Sequence, residues 1–337
     1  MATVTFWSLF LSFVVRSYGD SHVLEPFRDL RRDERRMKSG KKCIFVFVLV
    51  DTHTHFYDEW LLPDADAAVK RAMDAGVGKM IQADVDSRER KDMWAVGRRY
   101  PGLLFQMLGL YPGSVTQETW QQELDLVHSI AEGDSRSEPG MTGVEPGMSA
   151  DEPGMTGSES WMSEGFPGPI VAIGEVGLDY HENRDNAALQ KDVLRIQLEL
   201  AAKMDLPVNI HLRDAWEDFL AILKDTQHLH LRGNLHCFSG SYEVYQEANR
   251  YGDWAVGIGG VITFKNSKLA ATVARIPDRH ILLETDAPYL APTPYRGKRN
   301  ESAFLPIIAA KVAEAKGLTT AQIEDLTTEN AQRLFQI

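Results

Sequence analysis

Cys43-Ile-Phe-Val-Phe-Val-Leu-Val50 runs straight into Asp51-Thr-His-Thr-His55, and the reading of that junction decides the fold. The run is continuous, apolar and rich in β-branched and aromatic side chains, as a strand buried on both faces of a parallel sheet must be. His53 and His55 leave the strand end two positions apart, so in an extended segment they point to the same side. Two imidazoles on one side are half of a metal site. Taken alone, the pair reads slightly better as two surface histidines in a polar strand-to-helix turn. The choice therefore rests on whether the rest of the chain supplies the other half.

Downstream, helical and strand patterns alternate. Helices are predicted over 64–75, 87–100, 116–131, 186–204, 214–224, 242–251 and 267–275, and strands over 77–83, 103–110, 169–176, 207–212, 231–238, 254–260 and 281–285. Gly76 and Pro101 supply stop signals, and Leu189, Val193, Ile196 and Leu200 keep helical spacing. Two more helices close the chain, the second opened by Thr319 three residues before Gln322, a capping-box pattern. Eight strands alternating with helices favour a closed parallel α/β barrel, (β/α)8, over an open doubly wound sheet. No dinucleotide-type glycine fingerprint follows an early strand, which weakens the open sheet further.

Composition narrows the functional classes. The 337 residues are 44% hydrophobic, enough for a large core, and the formal net charge of −12 argues against broad electrostatic capture of nucleic acid. A nucleic-acid substrate stays open, because carboxylate-bound cations can receive phosphates locally. Cys43 and Cys237 both fall in predicted buried strands, so neither a disulfide nor a thiolate metal site is expected, and a reducing cytoplasm fits.

Two stretches stand apart. Residues 1–42 contain an apolar segment, 4–15, and then a basic one, 28–42, with eight basic and three acidic side chains. The first basic residue, Arg16, follows the apolar segment, the reverse of a signal peptide, and the segment is short for a membrane span. These residues are expected to be an atypical N-terminal extension from an over-long reading frame, with a membrane anchor as the minor alternative. Residues 133–168 carry a repeat, Glu138-Pro-Gly-Met-Thr-Gly-Val, Glu145-Pro-Gly-Met-Ser-Ala-Asp, Glu152-Pro-Gly-Met-Thr-Gly-Ser, whose composition cannot repay the entropy of ordering; a flexible surface insertion is expected. Without both stretches about 260 residues remain, close to the roughly 250 of a (β/α)8 barrel.

The other candidate ligands fall at the C-terminal ends of predicted strands: Glu175 after strand four, His211 after strand five, His236 after strand six and Asp286 after strand eight. In a barrel these ends share one face, so distant stretches of chain become neighbours. Four of the ten histidines and two carboxylates at one mouth imply metal. A carboxylate can bridge two cations, and six ligands exceed what one tetrahedral zinc takes, so Glu175 points to a two-metal site.

Asp51-Thr-His-Thr-His55, Gly174-Glu-Val-Gly-Leu-Asp-Tyr180, Ile210-His-Leu-Arg213, His236-Cys-Phe-Ser-Gly240, Glu284-Thr-Asp-Ala-Pro-Tyr-Leu290 and Arg296-Gly-Lys-Arg-Asn-Glu301, in that order, resemble the TatD family of metal-dependent deoxyribonucleases, within the amidohydrolase-like barrels. The resemblance covers residues 44–337 apart from the insertion. It implies that His53, His55, Glu175 and Asp286 hold one divalent ion and Glu175, His211 and His236 a second, with Asp286 orienting or deprotonating the attacking water. Zinc, manganese, cobalt or iron suit such ligands, and magnesium the more oxygen-rich site. The expected activity is phosphodiester hydrolysis of DNA from the 3′ end, the polarity taken from the resemblance alone. A small-molecule amidohydrolase or lactonase is the alternative, disfavoured because strand four offers Glu175 where many such enzymes use a carboxylated lysine.

Expected substrate contacts are Arg296, Ser239, Arg213 and Asn300, with Arg296 favoured because a guanidinium binds phosphate through two bonds. The expected partner is single-stranded DNA or a frayed 3′ end, met by a monomer with no membrane attachment. Gly109-Leu-Tyr111-Pro112 departs from the family, which commonly has histidine at the tyrosine position.

Overall fold

Each strand here meets helices on one face and other strands' side chains on the other, so its side chains are buried along almost its whole length. The computed structural model describes residues 49–133 and 167–337. The expectations for 1–42, for Cys43 and for nearly all of the insertion lie outside the described residues. All six residues of β1 (Leu49–Thr54) are buried, as are all ten of β4 (Ile170–Asp179). Between them come α1 (Ala65–Asp74), β2 (Val77–Gln82), α2 (Ser87–Arg99), β3 (Leu104–Leu108) and α3 (Trp120–Gly133). After β4 follow α4 (Ala187–Lys203), β5 (Val208–Arg213), α5 (Trp216–Asp225), β6 (Arg232–Leu235), α6 (Tyr242–Ala248), β7 (Asp253–Ile258), α7 (Leu269–Val273), β8 (Ile281–Leu283), α8 (Leu305–Lys316) and α9 (Thr320–Phe335).

The strands stand in sequence order, β1 to β8, and every neighbouring pair is parallel. This is the expected (β/α)8 barrel. Asp51 closes it: its carboxylate accepts from the Thr285 amide at 2.9 Å and the Thr285 hydroxyl at 2.6 Å. Thr52 Oγ1 donates to Leu283 O at 3.0 Å, His55 N to Ala287 O at 2.7 Å and Asp286 N to His53 O at 2.9 Å. Burial pushes the Asp51 carboxyl up to about 6 against these hydrogen bonds. The first residue of the opening motif thus seals the barrel wall.

Inside, Val50, Ile81, Met107, Ala172, Ala255 and Leu282 form one buried cluster with Leu334 and Phe335 of α9. The capping box opening α9 is present, with Thr319 and Gln322 exchanging hydrogen bonds as their spacing predicts. Element limits shift in two places that matter. β6 ends at Leu235 and β8 at Leu283, so His236 and Asp286 sit just beyond their strands rather than closing them. Cys237 (φ 45°) and Asp286 (φ 58°) take left-handed backbone conformations just beyond these strand ends.

Candidate metal centre

The period of two along β1 places His53 and His55 on one side, their Nε2 atoms 3.1 Å apart. Glu175 projects from β4 between two groups of imidazoles. Its Oε2 lies 3.3 Å from His53 Nε2 and 3.8 Å from His55 Nε2, whereas Oε1 lies 2.7 Å from His211 Nδ1 and 3.8 Å from His236 Nε2. Asp286 Oδ1 completes the group at 3.6 Å from His55 Nε2, 3.7 Å from His236 Nε2 and 3.8 Å from His53 Nε2. The sets His53–His55–Glu175, Glu175–His211–His236 and His53–His236–Asp286 each bring their ligand atoms within 4.8 Å of one another. All six residues expected as ligands converge. The β4–β5 approach that allows this depends on Gly177, where a Cβ would stand 1.9 Å from His211 O.

Hydrogen bonds behind the rings decide which nitrogens face the centre. His53 Nδ1 lies 3.0 Å from Asn209 Oδ1, an acceptor, which puts the proton on Nδ1 and leaves the Nε2 lone pair free. The Tyr57 hydroxyl donates to Ala83 O and so accepts, at 2.8 Å, from His55 Nδ1. His236 Nδ1 lies 2.9 Å from Glu284 Oε1. His211 is turned the other way, with Nε2 on Asp179 Oδ2 at 2.8 Å and Nδ1 inward. Every ring therefore has an outer partner of the kind that orients a metal-ligating histidine.

The electrostatics match a cation. Burial should lower His211 and His236, yet the carboxylates around them win and raise them to about 9 and about 10. Burial should raise Glu175 and Asp286, yet the imidazoles hold both below the usual carboxylate range. His53 Nε2 and His55 Nε2 face one another across 3.1 Å, close enough to share a proton or to ligate one cation. Histidine nitrogens and carboxylate oxygens fit zinc, manganese, cobalt and iron alike.

A family description, TatD related DNase, matches residues 50–336. The chain belongs to the TatD family. It is 46% identical over 169 residues to the uncharacterized metal-dependent hydrolase YabD of Bacillus subtilis, covering 50% of this chain and 66% of that protein. It is 36% identical to YcfH of Escherichia coli K12, likewise called an uncharacterized metal-dependent hydrolase, over 63% of that protein. The match thus spans less than two thirds of the length of these relatives. The 3′-5′ ssDNA/RNA exonuclease TatD of Cronobacter sakazakii is 32% identical, over 81% of this chain and 92% of that one. Among solved structures, the TatD homologue YJJV of Escherichia coli K12 superimposes with a TM-score of 0.71 at 26% identity, over 87% of this chain and 100% of that one.

Around the six candidate ligands, this TatD-family barrel differs from the expectation in its outer contacts. Asn300, expected on phosphate, is buried, and its Nδ2 donates to Thr285 O at 2.7 Å and Tyr289 O at 2.6 Å. Its Oδ1 accepts from Glu301 N at 2.9 Å, so the whole amide serves to shape the loop after β8. Arg296 is exposed with its guanidinium 4.4 Å above the Phe264 ring, while Ser239 and Arg213 are exposed at the mouth. Arg299 is committed to Trp60 O and Asp64. Tyr111 sets its ring edge-on to His211, with its hydroxyl 3.5 Å from Asp179 Oδ2. Burial raises the Tyr111 phenol, so it stays protonated at neutral pH.

Four residues that orient the rings escaped the sequence reading: Tyr57, Asn209, Asp179 and Glu284. A signal existed, because Asn209 and Glu284 stand two residues before His211 and Asp286, polar groups at strand period in otherwise apolar stretches. Glu284 is fully buried in space that only glycine leaves open, since a Cβ at Gly257 would lie 1.9 Å from its Oε2.

Proposed function

We propose that this chain is a metal-dependent hydrolase that cleaves the phosphodiester bonds of DNA, releasing nucleotides from an unpaired 3′ end. The observation that carries the reading is Glu175, whose two oxygens address two separate histidine pairs, as a carboxylate shared by two cations would. Paired divalent ions supply what phosphodiester hydrolysis needs: a nucleophilic water at neutral pH and relief of charge on the phosphate and leaving oxygens.

The chain's own groups divide the remaining work. His53 and His55 with Glu175 and Asp286 form one ligand set; His211 and His236 with Glu175 form the other. Asp286 is the more open of the two carboxylates, with 14% side-chain exposure against 5% for Glu175, and is the base that takes the water's proton. Asp179, Asn209, Tyr57 and Glu284 hold the imidazoles in register. Arg296, exposed on the loop after β8, reaches for the phosphate. The name of the Cronobacter relative, a 3′-5′ exonuclease on single-stranded DNA and RNA, supports the same assignment.

The test is to incubate metal-reconstituted protein with end-labelled single-stranded DNA and RNA and with a panel of lactones and amides. Chelator-sensitive loss of nucleotides from the 3′ end of DNA is expected. Turnover of a lactone or amide with DNA left intact would transfer the site to the amidohydrolase alternative.

A further inference from the structure

Among the described residues the exposed large apolar side chains are Trp60 at 57%, Tyr289 at 43% and Leu290 at 41%. They are not scattered. Trp60 lies in the loop after β1 and Tyr289 and Leu290 in the loop after β8, the two strands whose junction closes the barrel. The Tyr289 ring centroid is 6.0 Å from that of the ligand His55 and 6.1 Å from that of Trp60, so a row of rings leads from the metal centre outward.

The row is held in place. Asp58 accepts from the Trp60 amide at 2.8 Å with Oδ1 and from the Tyr289 hydroxyl at 2.6 Å with Oδ2, one carboxylate fixing both aromatic residues. Arg299 donates to Trp60 O at 3.0 Å, and Asn300 donates to Tyr289 O at 2.6 Å. Ordering exposed rings costs entropy and leaves apolar surface in water, which a bound partner of matching chemistry would offset. Arg296 and Lys298, exposed on the same loop as Tyr289, add cations to that loop in a chain that is acidic overall.

We propose that Trp60 and Tyr289 form a stacking platform for an unpaired nucleobase of the strand whose phosphate lies at the metal centre. The inference rests on the phosphodiesterase reading and adds its specificity. A base inside a duplex has both faces covered by its neighbours and cannot offer one to the rings, so the platform selects single-stranded ends. Every base has a π-face, so it selects them with little regard to sequence. Asp58 is the positioning residue of the platform; both its oxygens are already taken by Trp60 and Tyr289.

The test uses the metal-loaded full chain and its Trp60→Ala, Tyr289→Ala and Trp60→Phe variants. Two single-stranded oligonucleotides are compared, identical except that one carries abasic residues at its 3′-terminal positions. Each alanine variant should lose roughly ten-fold in kcat/KM on the complete strand, mainly through KM, and less than about two-fold on the abasic strand, as removal of one base–aromatic stack requires. Trp60→Phe should recover most of the loss, with metal content unchanged by elemental analysis. Equal losses on both strands, or none on either, overturn the platform while the phosphodiesterase reading stands. Absence of chelator-sensitive cleavage of either strand by the unmodified chain overturns both.

Discussion

Glu175→Gln keeps the size of the side chain and removes its charge, which makes it the sharpest probe of the centre. The carboxylate oxygens stand 2.7–3.8 Å from nitrogens of all four histidines of the cluster. A unit charge about 4 Å from another contributes about 4 kcal/mol at an effective dielectric of about 20. An amide oxygen that still ligates recovers part of this. The net loss is about 2–3 kcal/mol, or roughly 30- to 150-fold in affinity, and it should fall on both sites together. Equilibrium dialysis over a range of free metal, followed by elemental analysis, measures it, with circular dichroism confirming that the fold is kept. The unmodified chain should saturate at about two ions and lose activity on chelation, and Glu175→Gln should need far more metal for each. His211→Ala should weaken chiefly one. A glutamine variant that loses one ion and holds the other with unchanged affinity would refute the shared carboxylate, and a single ion in the fully active unmodified chain would refute the pair.

Arg296→Ala should lower turnover on phosphodiesters by about ten-fold or more through loss of a charge-assisted contact, with metal content and melting temperature unchanged; steady-state kinetics on DNA decide this, and identical rates would remove Arg296 from the site. Glu284→Gln should weaken metal retention by roughly 10- to 100-fold at the site that includes His236, because it loosens the ring's outer partner; retention through a dialysis series reads the effect. Deleting 134–165 with a short Gly-Ser joint should leave metal-dependent activity and fold unchanged and shift stability by no more than about 1 kcal/mol. The flanking elements α3 and β4 meet at the N-terminal end of the barrel strands, away from the ligands. A large fall in melting temperature or rate for the deletion would show those residues to be integrated.

The candidate ligands were legible because each belongs to a local pattern: a polar residue at or just past the end of an apolar run. His53 and His55 announce their shared side by a spacing of two, and Glu175, His211, His236 and Asp286 follow runs that alternation with helices assigns to one sheet. What could not be read was whatever depends on which strand lies beside which. Asn300 illustrates this: in a basic motif it reads as a phosphate contact, but the path of the loop after β8 turns its amide inward onto Thr285 and Tyr289. His236 and Asp286 likewise stand past their strands, which end at Leu235 and Leu283.

Hydrophobic period, stop signals and residue chemistry act over a few positions at a time, so the barrel, the approximate helix limits and the six candidate ligands were legible along the chain. Which nitrogen of each histidine faces inward was settled by contacts between distant strands. Asn209 lies 156 residues from His53 and Glu284 lies 48 from His236, and strand register and barrel curvature alone bring them together. The same holds for the closure through Asp51 and for the aromatic pair, whose shared clasp on Asp58 spans 231 residues between Asp58 and Tyr289. A hydrogen bond of that kind has a range of about 3 Å in space and no characteristic range in sequence, so its partners leave no period to read.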